Sequence, residues 1–404
     1  MSSPSSPVDR YDVIILGASM AGIEVLYQLR RGRGGRALRV AVVDRQEVHG
    51  YIPLCQERLS RRLHDASARL HTAGYVTSSQ HTEMIVGTVA RMNSVARRVF
   101  LADGRALDAR IIVVALGSVL APPADRIPGV EGALAVKFDH EAQEVRERVQ
   151  RLRAPGGPEQ PRVVVVGGGI SGVEMAGELA WMSQRSDDLQ RPFEVTLLHS
   201  GPRLLPALCE RAGALAAEHL EAQGVDLRVR ARLTEVGSDG VVIEDRVPTS
   251  PEQLDMPADL VIWAGGVRPP PVLDELGIGQ RDGWLTVDRE LRALDADGAA
   301  IEGVFVAGDA ACVVDEGGVW PTMKRAIECL WQAKIAAKNI LASLQGTPRR
   351  AHRLREDFPH GVSIGARSLV VYGPLVLDLP RINTWFRRFL MRRYFARYRA
   401  RRGD

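Results

Sequence analysis

Short apolar runs separated by glycine turns mark the first third of the chain. Residues 11–16 read as a strand and enter a turn from Gly17 to Gly22. A helix-like stretch covers 23–29, and a second apolar run, 38–43, ends at Asp44. Strand, turn, helix, strand and acid make a βαβ unit. The same order recurs later. An apolar run at 163–166 suits a strand buried on both faces. It enters a turn from Gly167 to Gly172, then a helix-like stretch through Trp181 and a strand at 194–198. Two copies of one unit predict an α/β chain with two nucleotide domains.

Between the copies, 83–89 and 97–101 read as a small antiparallel meander around a turn at Asp103 and Gly104. Residues 111–115 form another buried strand, followed by Leu116, Gly117 and Ser118. The proline- and glycine-rich stretch 154–161 is loop by composition. Further on, 260–264 reads as a strand ending in Gly265 and Gly266, and 304–307 as one ending in Gly308 and Asp309. Pro321 opens a helix-like run to about Leu341, at the first helical position that proline favours. Short strands start near Gly361, and a basic amphipathic helix starts near Pro380.

The two turns are candidate phosphate cradles. Gly167, Gly169 and Gly172 give G-x-G-x-x-G between a strand and a helix. There the first glycine makes the tight turn, the second lets backbone approach a pyrophosphate, and the third lets helix and strand pack closely. The helix start at Ile170 and Ser171 offers free N–H groups and a positive dipole to phosphate. The first turn keeps Gly17 and Gly22, carries Ser19 in the middle and continues through Met20 and Ala21. Asp44 is placed to accept hydrogen bonds from ribose hydroxyls, with Arg45 beside it. At the matching strand end of the second unit stands His199. A histidine does not repel a 2′-phosphate, and Arg203 can assist one, so NADH and NADPH both stay open.

Composition narrows the classes. The 404 residues carry a formal charge of only +4, which does not suggest a nucleic-acid binder. Nine arginines fall between Arg381 and Arg402 with only Asp404 opposing them, so the tail holds +8 and the rest of the chain −4. A local basic patch points to a local anionic partner. The four cysteines (Cys55, Cys209, Cys312, Cys329) are scattered, without disulfide-scaffold or metal-ligand spacing. A reducing, cytoplasmic compartment fits. The N-terminus lacks the apolar core of a signal peptide. No apolar run reaches the roughly 20 residues needed to span a bilayer.

Together these segments resemble the pyridine nucleotide–disulfide oxidoreductase superfamily, nearest to type II NADH:quinone oxidoreductases and apoptosis-inducing-factor-like enzymes. The stretch from Val165 to Leu179 is similar to the family form GGGxTGVExAGEL. The stretch from Val304 to Ala311 resembles the second FAD fingerprint, which implies a ribityl-binding role for Asp309. Ala115 to Gly117 resembles the family's ATG turn, and Trp263 to Arg268 its WAAGV turn beside the nicotinamide nucleotide, at Gly265 and Gly266. Residues 44–54 resemble the stretch from the FAD ribose to the flavin edge. Val89 completes the implied cofactor-binding set.

The resemblance implies two Rossmann-like domains in a glutathione-reductase-like FAD/NAD(P) fold. FAD would be held by residues 8–120 plus 285–345, NAD(P)H by 121–284, and 346–404 would form a short C-terminal region. The helix opened by Pro321 would aim its dipole at the flavin. Glu174 falls where the family places a catalytic glutamate, able to orient the nicotinamide or relay a proton to a reduced quinone.

Two features depart from the family. Its Ala-Gln pair near the quinone becomes Ala326 and Ile327. Cys55 lies about where single-cysteine relatives keep a redox sulfur, although a small hydrophobe lining the site is the favoured account of it. The tail places Ile382, Trp385, Phe386, Phe389, Leu390 and Phe395 at helical spacing with arginines on the other flank. That pattern suits an anionic membrane surface, peripherally on the inner face of the cell membrane, or a helix packed on the body or at a homodimer interface. Three functions follow: a membrane-surface NAD(P)H:quinone oxidoreductase; a soluble flavin reductase acting on a disulfide, peroxide or redox protein; and a nucleotide-regulated flavoprotein with weak turnover.

Overall fold

The computed structural model describes residues 10–63, 67–120, 122–185, 191–245, 252–315, 317–319, 324–355 and 358–399. The strand Arg10–Leu16 runs parallel to Val40–Asp44 on one side and to Ala106–Val114 on the other. Thr82–Val86 and Ala300–Val306 extend the two flanks in parallel. Val13, Ile14, Ile15, Val42 and Val113 are sealed from solvent, as a parallel sheet covered on both faces requires. The helices α1 (Met20–Arg31) and α6 (Ala326–Gln345) pack together against this sheet. A short α2 (Thr72–Thr77) follows the strand Arg69–His71. The twelve-stranded sheet draws on residues 10–114 and 280–319.

The second βαβ unit builds a five-stranded parallel sheet in the order Val225–Val229, Glu194–His199, Arg162–Val166, Leu260–Trp263 and Leu134–Ala135. Successive strand side chains point to opposite faces, and the central strand divides its valines accordingly. Val163 and Val165 pack under α3 (Asp139–Arg153), α4 (Ile170–Gln184) and α5 (Glu210–Glu221). Val164 and Val166 pack under the antiparallel strands Ala231–Val236 and Gly240–Asp245. Fully burying each valine contributes about 1.5–3 kcal/mol.

The C-terminal region begins with an antiparallel sheet of His360–Ile364, Arg367–Tyr372 and Leu375–Asp378. It lies hard against α4, because a Cβ on Gly177 would come within 2.8 Å of Ile364 Cα. The chain ends its described part in α7 (Pro380–Arg397).

Three expectations change. The run 83–89 is not one strand of a meander. Thr82–Val86 is the parallel edge of the main sheet, while Val89–Asn93 turns back on Arg98–Leu101. The break falls at Gly87 and Thr88, outside both strands. Pro321 lies outside the described residues; α6 begins at Ala326 and continues to Gln345, past Leu341. On α7, Phe395 leaves the expected stripe. It is buried against Tyr51, with Tyr394 and Tyr398 beside it. The face docked on the body is Asn383, Arg387, Met391, Tyr394 and Phe395, so an arginine points inward. Ile382, Trp385, Phe386, Phe389 and Leu390 point out, with Trp385 at 63% exposure.

Candidate active site

The first cradle is closed by backbone contacts that only glycine permits. Gly17 adopts φ +102°, and a Cβ there would meet Ala115 O at 2.4 Å. A Cβ on Gly22 would fall 1.8 Å from Gly17 O. The middle position differs: Ser19 has φ −86°, an ordinary extended conformation, so serine carries no backbone strain there. Its Oγ lies 3.2 Å from His49 Nδ1. Asp44 Oδ2 accepts the Ala18 N–H at 2.6 Å, which ties the acid to the turn it follows. Met20, Ala21 and Gly22 are buried in the first turn of α1.

Gly17, Ser19, Asp44, Arg45, Val89 and Ala115 line a cavity of about 310 Å³. Its wall also takes in Cys55 and Lys137, and Pro270 to Val272 from beyond the second sheet. A dinucleotide fits the character of this site: a turn with no Cβ at its closest points, an acid at the strand end and an open trough beyond. Gly117, at φ +69°, faces open space just past it.

The second cradle repeats the turn. Gly167 adopts φ +120°, with Ala264 O only 2.5 Å from where its Cβ would be, and a Cβ on Gly172 would fall 1.6 Å from Gly167 O. Nothing lies within 4 Å of a Cβ at Gly169. The space over the start of α4 is open, where N–H groups at Ile170 and Ser171 have no intrahelical partner. His199 packs on Gly168 and accepts its N–H at Nδ1, 3.2 Å away. The proton therefore sits on Nε2, which is buried without a hydrogen-bond partner. Burial holds the ring below the usual histidine value, so it is neutral. The Trp263 Nε1 near Gly265 is likewise buried without a partner. Gly265 and Gly266 are exposed at the strand end. Arg203 is spent differently from expectation. Its guanidinium donates to the carbonyls of Leu204, Leu205, Pro206 and Leu208 and staples its own loop.

Asp309 does not line the cavity itself. Ser118 and Lys137 do, and they hold its carboxylate. Ser118 Oγ donates to Asp309 Oδ2 at 2.5 Å, and Lys137 Nζ stands 3.4 Å from the same oxygen. Burial would raise the Asp309 carboxyl, but Lys137, Ser118 and Cys329 outweigh it and hold it below the usual value. Lys324 donates to the carbonyls of Asp309 and Ala311 and lies 3.9 Å from the Trp284 ring centroid. Burial lowers it to about 8. Gln332, on α6, accepts the Gly308 N–H at 2.8 Å.

Glu174 is buried one turn into α4. Its Oε1 accepts the Ser363 N–H at 2.9 Å and an Arg387 N–H at 3.0 Å. Burial pushes its carboxyl up to about 7, against the opposing pull of Arg387. Glu178, the next turn along, is also raised to about 7 by burial despite Arg62 and Ser60. Glu57 lies between α4 and α7, its oxygens 3.6 Å from Arg387 and 3.4 Å from Arg388. Cys55, whose thiol senses Glu174, is pushed up to about 12, mainly by burial. Lys137, Arg387 and Glu57 carry no sequence motif; their placement depends on segments far apart in the chain.

The chain matches the family described as pyridine nucleotide-disulphide oxidoreductase over residues 11–333. A type II NADH:quinone oxidoreductase of Staphylococcus aureus is 25% identical over 355 residues, covering 84% of each chain. Among solved structures, NDH2 from Plasmodium falciparum, in complex with NADH, superposes with a TM-score of 0.81 over 96% of this chain and 97% of that one, at 14% identity. The sulfide:quinone oxidoreductase of Aquifex aeolicus gives 0.77 over 96% and 92%, at 16% identity. The fold is that of the FAD/NAD(P) Rossmann-type oxidoreductases, and the chain belongs to the pyridine nucleotide-disulphide oxidoreductase family as an FAD-dependent enzyme working with a pyridine nucleotide.

Proposed function

We propose that the protein is a type II dehydrogenase-like enzyme that oxidises NADH and reduces a quinone at a membrane surface. FAD would be held by residues 8–120 plus 285–345 and NADH by 121–284, with 346–404 supplying the acceptor side. The flavin supplies the hydride acceptor and two-electron donor chemistry. The chain's own residues bind, orient and manage protons. Gly17 and Gly22 admit the FAD pyrophosphate to the α1 N-terminus, and Asp44, whose two oxygens accept the Ala18 and Gln46 N–H groups, keeps lone pairs on both for the ribose. Gly167, Gly169 and Gly172, with Ile170 and Ser171, do the same for NADH on α4. A neutral His199 and an Arg203 whose terminal N–H groups are turned to loop carbonyls favour NADH over NADPH.

The observation that carries this reading is Glu174. Reducing a quinone to a quinol requires protons at a site shielded from water. A carboxyl titrating near 7 in the folded chain can hold and release one at working pH. Arg387 and the Ser363 N–H both donate to Oε1, which leaves Oε2 as the oxygen to carry the proton. The thiol alternative is weakened, because Cys55 is pushed up to about 12 and so stays protonated.

The membrane contact would be made by the outward face of α7. Ile382, Trp385, Phe386, Phe389 and Leu390 are exposed, Trp385 stacks on Phe389 at 5.5 Å, and Leu375, Leu377 and Leu379 extend the patch. Aromatic and aliphatic side chains beside exposed Arg381, Arg392 and Arg393 suit an anionic headgroup layer. Among the described residues no helix is long and apolar enough to cross a membrane.

The decisive experiment is anaerobic reduction of the purified protein by NADH and by NADPH, followed by stopped-flow reoxidation with a short-chain quinone. Rapid bleaching by NADH and rapid return with quinone support the proposal. Bleaching without return would end the quinone reading. Membrane contact is tested by sedimentation with anionic vesicles. A Trp385→Ser, Phe389→Ser variant should stay in the supernatant. These substitutions are cleaner than deleting the tail, which also removes Arg387, Tyr394 and Arg397 from the body.

A further inference from the structure

Lys137 sits where the domains of the two sheets meet over the cavity. It follows the strand Leu134–Ala135 of the five-stranded sheet and precedes α3. Its ammonium nevertheless reaches the other domain. Nζ donates to Ser118 O at 2.8 Å and to Ser118 Oγ, and lies 3.4 Å from Asp309 Oδ2. The residue is only 8% exposed and lines the cavity that begins at Gly17 and Asp44. The other cationic residue on the cavity wall, Arg45, is exposed.

Geometry decides which part of the FAD this ammonium would meet. Hydride must cross from one dinucleotide to the other, so the redox ring lies where both domains contribute wall. Cys55 and Ser118 of the first domain line the cavity together with Lys137 and Phe138 of the second, and Cys55 Sγ lies 3.8 Å from the carbonyl of Val136, the residue before Lys137. Two-electron reduction adds negative charge to the ring, and a buried cation nearby favours the charged form.

We propose that Lys137 is the positioning residue that sets the reduction potential of the bound flavin, with Ser118 and Asp309 holding its ammonium against the cavity wall. Lys137 acts through its charge. Loss of the ammonium would also leave Asp309 without its main neutralising partner, which lowers the potential in the same direction. The inference rests on FAD being the cofactor and does not depend on which acceptor the enzyme uses.

The test is the equilibrium reduction of holo-protein against a reference dye, under nitrogen, for wild type, Lys137→Met and Lys137→Arg. FAD dissociation is measured in the oxidised and reduced states. The Met variant should have a more negative potential, with affinity for reduced FAD falling at least about tenfold more than for oxidised FAD. The Arg variant should stay near wild type. A merely structural role weakens both redox states equally and leaves the potential in place, and that result overturns the proposal. If the Met variant releases its flavin on purification, the same two affinities are measured with added FAD, and their ratio decides. A failed quinone assay would leave this ratio unaffected.

Discussion

The two cradle helices carry a glutamate at the same distance from the last glycine of their turns: Glu24 after Gly22 on α1, and Glu174 after Gly172 on α4. Both are buried, and both are paired with an arginine of α7. Arg397 Nη1 lies 3.0 Å from Glu24 Oε2, and Arg387 Nη2 lies 3.0 Å from Glu174 Oε1. One C-terminal helix thus clasps both units through equivalent positions. Their settings differ. Glu24 also takes the Tyr398 hydroxyl, and Arg397 is 35% exposed. Glu174 shares Arg387 with Glu57, and Arg387 is only 10% exposed. The same position after the turn serves as an anchor in one domain and as a carboxyl raised to about 7 in the other. The surroundings decide: burial raises the Glu174 carboxyl and Glu57 adds to it while sharing Arg387, whereas Glu24 gathers an arginine, a hydroxyl and the Gln28 amide.

The largest effect should come from the glycines that precede these glutamates. Gly172→Ala drives a Cβ onto Gly167 O, and Gly22→Ala does the same to Gly17 O. Each should cost about 3 kcal/mol in thermal unfolding and abolish binding of its own dinucleotide while sparing the other. Loss of both ligands from either variant would break the two-site symmetry. Gly169→Glu separates packing from binding. Open space around that position should keep stability within about 0.5 kcal/mol of wild type. A carboxylate facing a diphosphate should weaken NADH at least about a hundredfold, with FAD retained.

The clasp can be opened one side at a time. Arg387→Met strands a buried carboxylate pair, whereas Arg397→Met removes a partly solvated contact. The first should cost about 2 kcal/mol more than the second in urea unfolding; equal costs would show that the two glutamates are equivalent after all. A smaller effect tests the near-neutral carboxyls. Burial raises Glu174 and Glu178 to about 7 in the folded chain, from the ordinary glutamate value of 4.5. Each binds its proton more tightly in the folded chain, so stability is full below pH about 4.5 and declines as pH rises to about 7. Replacing both with glutamine should flatten the curve in that window. The smallest expected change is none: Cys55→Ser should leave turnover as it is.

Much of this was legible along the chain because the cradles are local. A strand, a glycine turn and a helix within about 25 residues carry their own geometry, and the positive φ angles at Gly17 and Gly167 follow from the turn itself. The apolar periodicity of the tail was also legible, but not which stripe would face inward. Arg387 turns toward the body because Glu174 and Glu57 await it there, 213 and 330 positions earlier in the chain. Phe395 turns inward because Tyr51 and its neighbours offer an aromatic pocket. Lys137 has no motif at all, and its ammonium gains meaning only when the second domain folds back over Ser118 and Asp309. The two βαβ units can be read from the chain alone, because their contacts are short-range and repeat a fixed spacing. Tertiary structure decided the charges around them, because the energy of a buried charge depends on what the rest of the chain brings within a few ångströms of it.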